Sequence, residues 1–335
     1  MRKILVISAI LFLYFQQYVD AQQIHYSQFF LSPHTTNPAQ VGLFEGTVRF
    51  GGIYRGQWLG NLAESGFNTP SIYVDAPVMP GIRKQDWIGI GGGLVNDAAG
   101  VSPITTTNFN IGLTYHLSLG EDPFNVISIG LQTGASRKSI DPNLRFEDEL
   151  RGAPTREVRD LIGQPEGYSD WAAGINWRQR MNDRMSFNIG YAMYHLNEPE
   201  VSLLQSADSL GQTMIPRKSV ASGSFMININ ENWNIEPLFL IQSIISDNEM
   251  LVGLNAYKML KKEKQAQFGV GYRLQDALVF YLGLQTPDWR IGMSYDLTTS
   301  QLSDYNPVTF EIGGFYILKK YKQPEINPYI FCPRF

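Results

Sequence analysis

An all-β chain, closed as a transmembrane antiparallel β-barrel of about fourteen strands, is the fold class that three features predict. Apolar and polar residues alternate in segment after segment between residues 47 and 319, and helical periodicity is scarce. The connections between those segments are mostly short on alternate steps, and the two longest fall on the other steps. Aromatic residues make up 13% of the 335 and charged residues only 17%, a balance that suits a surface facing something other than water.

The chain opens MRKILVISAILFLYFQQYVDAQQ. Arg2 and Lys3 precede an apolar run over residues 4–15, and Val19, Asp20 and Ala21 form a small-residue junction. This is the pattern of an export signal, expected over residues 1–21 with cleavage after Ala21. A membrane anchor would need a longer run, and no cysteine follows to take a lipid. Residues 22–46 then read as an N-terminal segment in the periplasm or the lumen. The barrel is expected over 47–319 and a periplasmic tail over 320–335.

Each strand is justified by its two faces. In DWRIGMSYDL, Trp289, Ile291, Met293, Tyr295 and Leu297 share one face, while Arg290, Gly292, Ser294 and Asp296 share the other. A soluble sandwich would turn the apolar face inward, and a membrane barrel turns it to lipid. Phe50 and Tyr54 likewise oppose Arg49 and Arg55; Phe268, Val270 and Tyr272 oppose Gln267 and Arg273; Ile312 and Tyr316 oppose Glu311 and Gly313. The polar faces are rich in Gly, Ser, Asn and Arg, as a crowded lumen requires, and poor in the long Lys and Glu side chains that bulk water tolerates. Strands are placed near 47–58, 69–77, 86–95, 105–118, 124–136, 168–179 and 185–195. The second half continues near 218–229, 232–245, 249–258, 266–275, 277–286, 288–297 and 308–319.

Short turns fall at residues 120–123, 180–184, 230–231 and 287, and the long connections at 137–167 and 196–217. Outer-membrane barrels show this asymmetry, with turns in the periplasm and loops outside the cell. Two later loop-side connections, near 246–248 and 276, are short and depart from it. The six tryptophans, Trp58, Trp87, Trp171, Trp177, Trp233 and Trp289, lie at or near strand ends, where interfacial girdles place them.

The YSQF and NPA stretches near the start, YRGQW at 54–58, and MSYDLTTSQL with FEIGGFYIL toward the end together resemble the PorP/SprF family of type IX secretion outer-membrane proteins of Bacteroidetes. Near the start, Tyr26, Ser27, Gln28 and Phe29 match an aromatic-Ser-Gln-aromatic cluster, and Asn37, Pro38, Ala39 and Gly42 match an Asn-Pro-Ala and a glycine. Ile24 departs, where the family often carries Asp-Pro. YRGQW, residues 54–58, resembles the family's first strand, and MSYDLTTSQL followed by FEIGGFYIL resembles its closing strands. The resemblance implies an outer-membrane barrel serving type IX secretion or surface attachment of a secreted protein substrate such as a gliding adhesin. The basic run Lys261, Lys262 and Lys264 falls in an expected periplasmic turn and reads either as a solvated turn or as a docking patch for a periplasmic secretion-system protein.

Chemistry beyond this is sparse. His25, His34, His116 and His195 form no metal-ligand spacing, and the single Cys332 has no second thiol nearby. GIGGGL, residues 89–94, lacks the Lys-Ser/Thr of a phosphate loop and reads as glycine in a curved strand. No Gly-x-Ser-x-Gly elbow is present. No catalytic residue, cofactor or metal is therefore expected, and a net charge of −4 gives no case for nucleic acid. Arg55, Arg273, Arg290, Asp296 and Glu311 fall on the lumenal face and are expected to form a charge network. In the tail, Ile326, Tyr329, Ile330, Phe331 and Phe335 are too apolar for water and are expected to dock in the lower lumen or on a periplasmic partner. The competing functions are a channel for small solutes and a soluble secreted β-sandwich adhesion module.

Overall fold

Fourteen antiparallel strands close on themselves. The computed structural model describes residues 25–320 apart from 58–65, 83–84, 100–103, 121–123, 141–165, 203–211, 246, 262 and 301–307. The first seven barrel strands are β1 (Val48–Gln57), β2 (Phe67–Val78), β3 (Trp87–Ala99), β4 (Ile104–Ser118), β5 (Val126–Ile140), β6 (Glu166–Asn182) and β7 (Met185–Tyr194). A small hairpin, β8 (Glu200–Ser202) and β9 (Gln212–Met214), stands apart as a two-stranded sheet inside the connection after β7. The barrel resumes with β10 (Lys218–Asn230), β11 (Trp233–Ile244), β12 (Asp247–Met259), β13 (Gln265–Arg273), β14 (Ala277–Gln285), β15 (Trp289–Thr298) and β16 (Val308–Leu318). Closure is made by β1 on β16, in register from Val48 opposite Leu318 to Gln57 opposite Thr309. No helix among the described residues is long and apolar enough to cross a membrane.

The alternation read from the sequence sorts the two faces. Ile291, Met293, Tyr295 and Leu297 are exposed on the outside, and Ser294 and Asp296 are buried inside. The same holds for Phe268, Val270 and Tyr272 against Gln267 and Arg273, and for Ile312 and Tyr316 against Glu311. An apolar exterior of this extent has no stable arrangement in water, and lipid removes the conflict. Connections divide by end. Where β1 starts and β16 finishes, the links are turns such as Asp183-Arg184 and Glu231-Asn232; the opposite end carries 141–165 and the hairpin-bearing 195–217. The two are termed the turn end and the loop end.

Residues 25–46 do not join the wall, and Thr47 N already donates to Leu318 O at its edge. They enter the lumen and cross it as three short turns, Phe29–Leu31, Pro33–Thr36 and Pro38–Gln40, touching β1 and β16 on one side and β4 to β7 on the other. The register of the sequence hides this plug, because one-turn elements carry no period. Phe29 sits in an apolar sector of the wall with Tyr194, Leu238, Leu240, Leu251, Val279 and Tyr281. The lumen is therefore not polar throughout, as its composition implied. Burying Phe29 and Leu31 stabilises the docked plug by roughly 1.5–3 kcal/mol each.

Two expectations are corrected here. Trp87 does not join an outer girdle: it faces inward, its ring stacked 4.8 Å from that of His116 and its Nε1 donating to Gly42 O at 3.1 Å. Trp171, Trp177 and Trp233 do lie exposed on the outside, while Trp58 is outside the described residues. Two of the four glycines of residues 89–94, Gly89 and Gly91, stand against the plug, whereas Gly92 and Gly93 meet only the neighbouring strands. A Cβ at Gly89 would overlap Val41 O, and one at Gly91 would press on Asp75 and His34. Gly130 gives way in the same manner to the backbone of Pro38 and Ala39.

Candidate functional site: a plug held in a charged lumen

The loop-end half of the plug is captured by ionised groups from five strands. The β1–β16 register puts Arg55 opposite Glu311, and the alternation turns both inward. Arg55 Nη1 donates to Glu311 Oε1 at 2.5 Å. The same carboxylate takes two plug amides, Ser27 N at 2.8 Å and Gln28 N at 2.9 Å. On β15, Asp296 Oδ2 accepts from Ser27 Oγ at 2.5 Å and from Arg273 Nη2 at 3.0 Å. Arg273, on β13, also reaches Glu249 of β12 at 3.3 Å, Asp276 at 3.0 Å and Ser27 Oγ at 2.5 Å. Tyr281 OH of β14 donates to Ser27 O at 3.2 Å.

His25 completes the cluster, and its tautomer is set by its neighbours. Arg55 Nη2 lies 3.1 Å from His25 Nε2, and a guanidinium only donates, so Nε2 is the acceptor. Nδ1 then carries the proton and faces Glu249 Oε2 at 3.2 Å. Arg55 is 3% exposed, Asp296 1% and Glu311 0%. Charges this dry are tolerated only when paired and hydrogen-bonded, and here the plug backbone supplies part of the pairing.

The turn-end half is anchored by a second set. Arg49 of β1 makes a two-point pair with Asp75 of β2, Nε to Oδ1 at 2.9 Å and Nη2 to Oδ2 at 2.6 Å, and Gly42 N donates to the same carboxylate at 2.7 Å. The Arg49 guanidinium lies 4.7 Å over the ring of Phe44 from the plug. His116 Nε2 is 2.8 Å from Val41 O, which only accepts, so Nε2 carries the proton and Nδ1 accepts from Ser128 Oγ at 2.7 Å. Between the two sets, Thr114 Oγ1 donates to Pro38 O at 2.8 Å and Asn37 Nδ2 to Ile175 O at 3.0 Å.

Four of the five charged residues singled out from the sequence thus meet: Arg55, Arg273, Asp296 and Glu311. Arg290 does not join them. It donates to Tyr257 OH at 2.7 Å and Gln267 Oε1 at 3.0 Å, with its guanidinium 4.3 Å over Phe30, and Tyr257 OH in turn donates to Glu236 Oε2 at 2.5 Å. The tail residues Ile326, Tyr329, Ile330, Phe331 and Phe335 lie outside the described residues. Sequence reasoning missed Ser27, Gln28, Glu249 and the Arg49–Asp75 pair. The available signals were Arg49, which shares the inward face of β1 with Arg55 at an even spacing, and the motif containing Ser27 and Gln28.

The arrangement defines a class: an outer-membrane-type β-barrel whose lumen is crossed by its own N-terminal segment. The chain belongs to the type IX secretion system membrane protein PorP/SprF family, whose model matches residues 18–316. The residues that carry the resemblance at the two ends of the sequence, Ser27 and Gln28, Arg55, Asp296 and Glu311, converge in one cluster. No curated protein matches the chain. Among solved structures, the Ralstonia pickettii toluene transporter TbuX is similar in fold, at 8% identity and a TM-score of 0.51, covering 86% of this chain and 94% of its own. The Pseudomonas putida toluene transporter TodX matches at 9% identity and a TM-score of 0.45, over 85% of this chain and 93% of its own.

Proposed function

We propose that this protein is exported with removal of residues 1–21 and works in the outer membrane as a plugged barrel that engages a secreted or surface-attached protein, such as a gliding adhesin. Its role is binding and placement, without catalysis. The observation that carries the reading is the combination of a lumen occupied by the chain's own segment with long connections gathered at a single end. A filled lumen suits a scaffold better than an open solute channel, and loops on a rigid frame are where partner contact is placed. In this reading the turn end faces the periplasm and the loop end the exterior, with lipid around the apolar wall.

The test is recovery from detergent-solubilised envelopes. The wild-type protein should bring down a protein that is displayed on the cell surface, and replacing residues 141–165 by a short Gly-Ser linker should abolish recovery while the barrel still assembles. Unchanged recovery after that replacement would overturn the loop assignment, and recovery of no surface protein would overturn the function.

A further inference from the structure

At the turn end the plug leaves a cavity of about 1040 Å³ open to that side. Its wall presents aromatic rings, among them Phe30, Phe44, Trp87, Phe124 and Phe315, beside Arg178 and Arg290. Polar groups such as Ser186, Asn188 and Glu236 alternate with the rings, so the cavity offers both apolar contact and hydrogen-bonding partners to a chain segment that enters it. The chain itself leaves β16 at the mouth. Lys319 lines the cavity and its Nζ reaches Asp288 Oδ1 at 2.8 Å, and Lys320 N donates to Thr47 Oγ1 at 2.9 Å.

Beyond Lys320 the chain runs on as YKQPEINPYIFCPRF, residues 321–335. We propose that this segment turns back and docks in the turn-end cavity, with Ile326, Tyr329, Ile330 and Phe331 against its aromatic wall. Length permits it: residues 321–325, extended, reach roughly 17 Å, enough to carry the apolar stretch from the mouth into the cavity. Pro324, Pro328 and Pro333 each lack the donor needed to prolong β16, so the segment is not a wall strand. Charge is complementary as well. Lys322 and Arg334 come to a wall bearing Glu45 and Glu236, and Glu325 comes to Arg178 and Arg290. The proposal goes beyond the secretion role and does not depend on it.

Cys332 is the only cysteine, which makes it a built-in reporter. In the purified detergent-solubilised protein, Cys332 should react with a maleimide at least about tenfold slower than a cysteine at the exposed Lys261 position in a Lys261→Cys/Cys332→Ser variant. Phe331→Asp should restore fast reaction. Cysteines placed singly at Ser186, Asn188 and Ser224, which line the cavity, should include at least one that forms an intramolecular disulfide with Cys332 on mild oxidation. Fast labelling of the wild-type protein would overturn the proposal. So would slow labelling with disulfides only between chains, which would assign the segment to a second copy. Slow labelling with no disulfide at any of the three positions would place the segment elsewhere and also overturn it.

Discussion

The two halves of the lumen are built from the same strands yet solve opposite problems. At the loop end, Arg55, Arg273, Asp296 and Glu311 are almost fully buried and depend on Ser27 and Gln28 for part of their hydrogen bonding. At the turn end the buried Arg49–Asp75 pair still holds the plug, but Arg290 and Glu236 line an open cavity, and Arg290 meets Phe30, Tyr257 and Gln267 instead of a carboxylate in direct contact. The difference shows that lumenal charge has no single meaning. Paired charges fix the plug in both halves, whereas Arg290, at the open cavity, holds neutral groups and a ring of the plug.

Breaking the loop-end cluster should have the largest effect. Glu311→Ala leaves Arg55 with only the more distant Asp296, 3.9 Å away, as counter-charge and two plug amides without their acceptor, so a loss of about 3–5 kcal/mol is expected, read as lower resistance to denaturant or a lower melting temperature. Asp296→Ala should cost a few kcal/mol by the same route. Because Arg55 and Glu311 touch, the double variant Arg55→Met/Glu311→Leu should be milder than the sum of the single losses. Additive losses would mean that the two charges are not coupled.

Crowding the groove sharpens the comparison at intermediate size. Gly130→Val pushes a side chain into the backbone of Pro38 and Ala39, with an expected cost of about 1–3 kcal/mol, most of it in plug docking. A cysteine at Gln40 should label faster in that variant, while the wall remains closed and runs differently on a detergent gel before and after boiling. At the turn end, Arg290→Ala should cost less, about 1–2 kcal/mol, because the lost contacts are hydrogen bonds to neutral groups and a ring. The smallest effect belongs to the half-exposed pair of Lys319 and Asp288, where Lys319→Ala should change stability by at most about 1 kcal/mol and less in high salt.

The wall was legible because its information is local. Residues two apart share a face, so Met293 and Asp296 declare their sides without knowledge of the rest of the fold. The small hairpin inside 196–217 was not, since β8 and β9 are too short to show alternation. The interior was legible only on the wall side. That Glu311 is lumenal can be read from β16 alone, but that it binds the amides of Ser27 and Gln28 joins residues 283 or more positions apart. Backbone donors leave no trace in side-chain pattern. Trp87 misled for a related reason: position at a strand end says nothing of which face the ring takes, and the inward face of β3 is set by the parity of Gly89 and Gly91.

The central claim is that residues 25–46 close the barrel from within, and ion conductance across a planar bilayer tests it most directly. The purified protein should be electrically silent, and a variant lacking residues 25–44 should open stable conducting steps, since the strands that remain still close into a ring. Conductance of equal size in both proteins, or silence in both, would contradict the account.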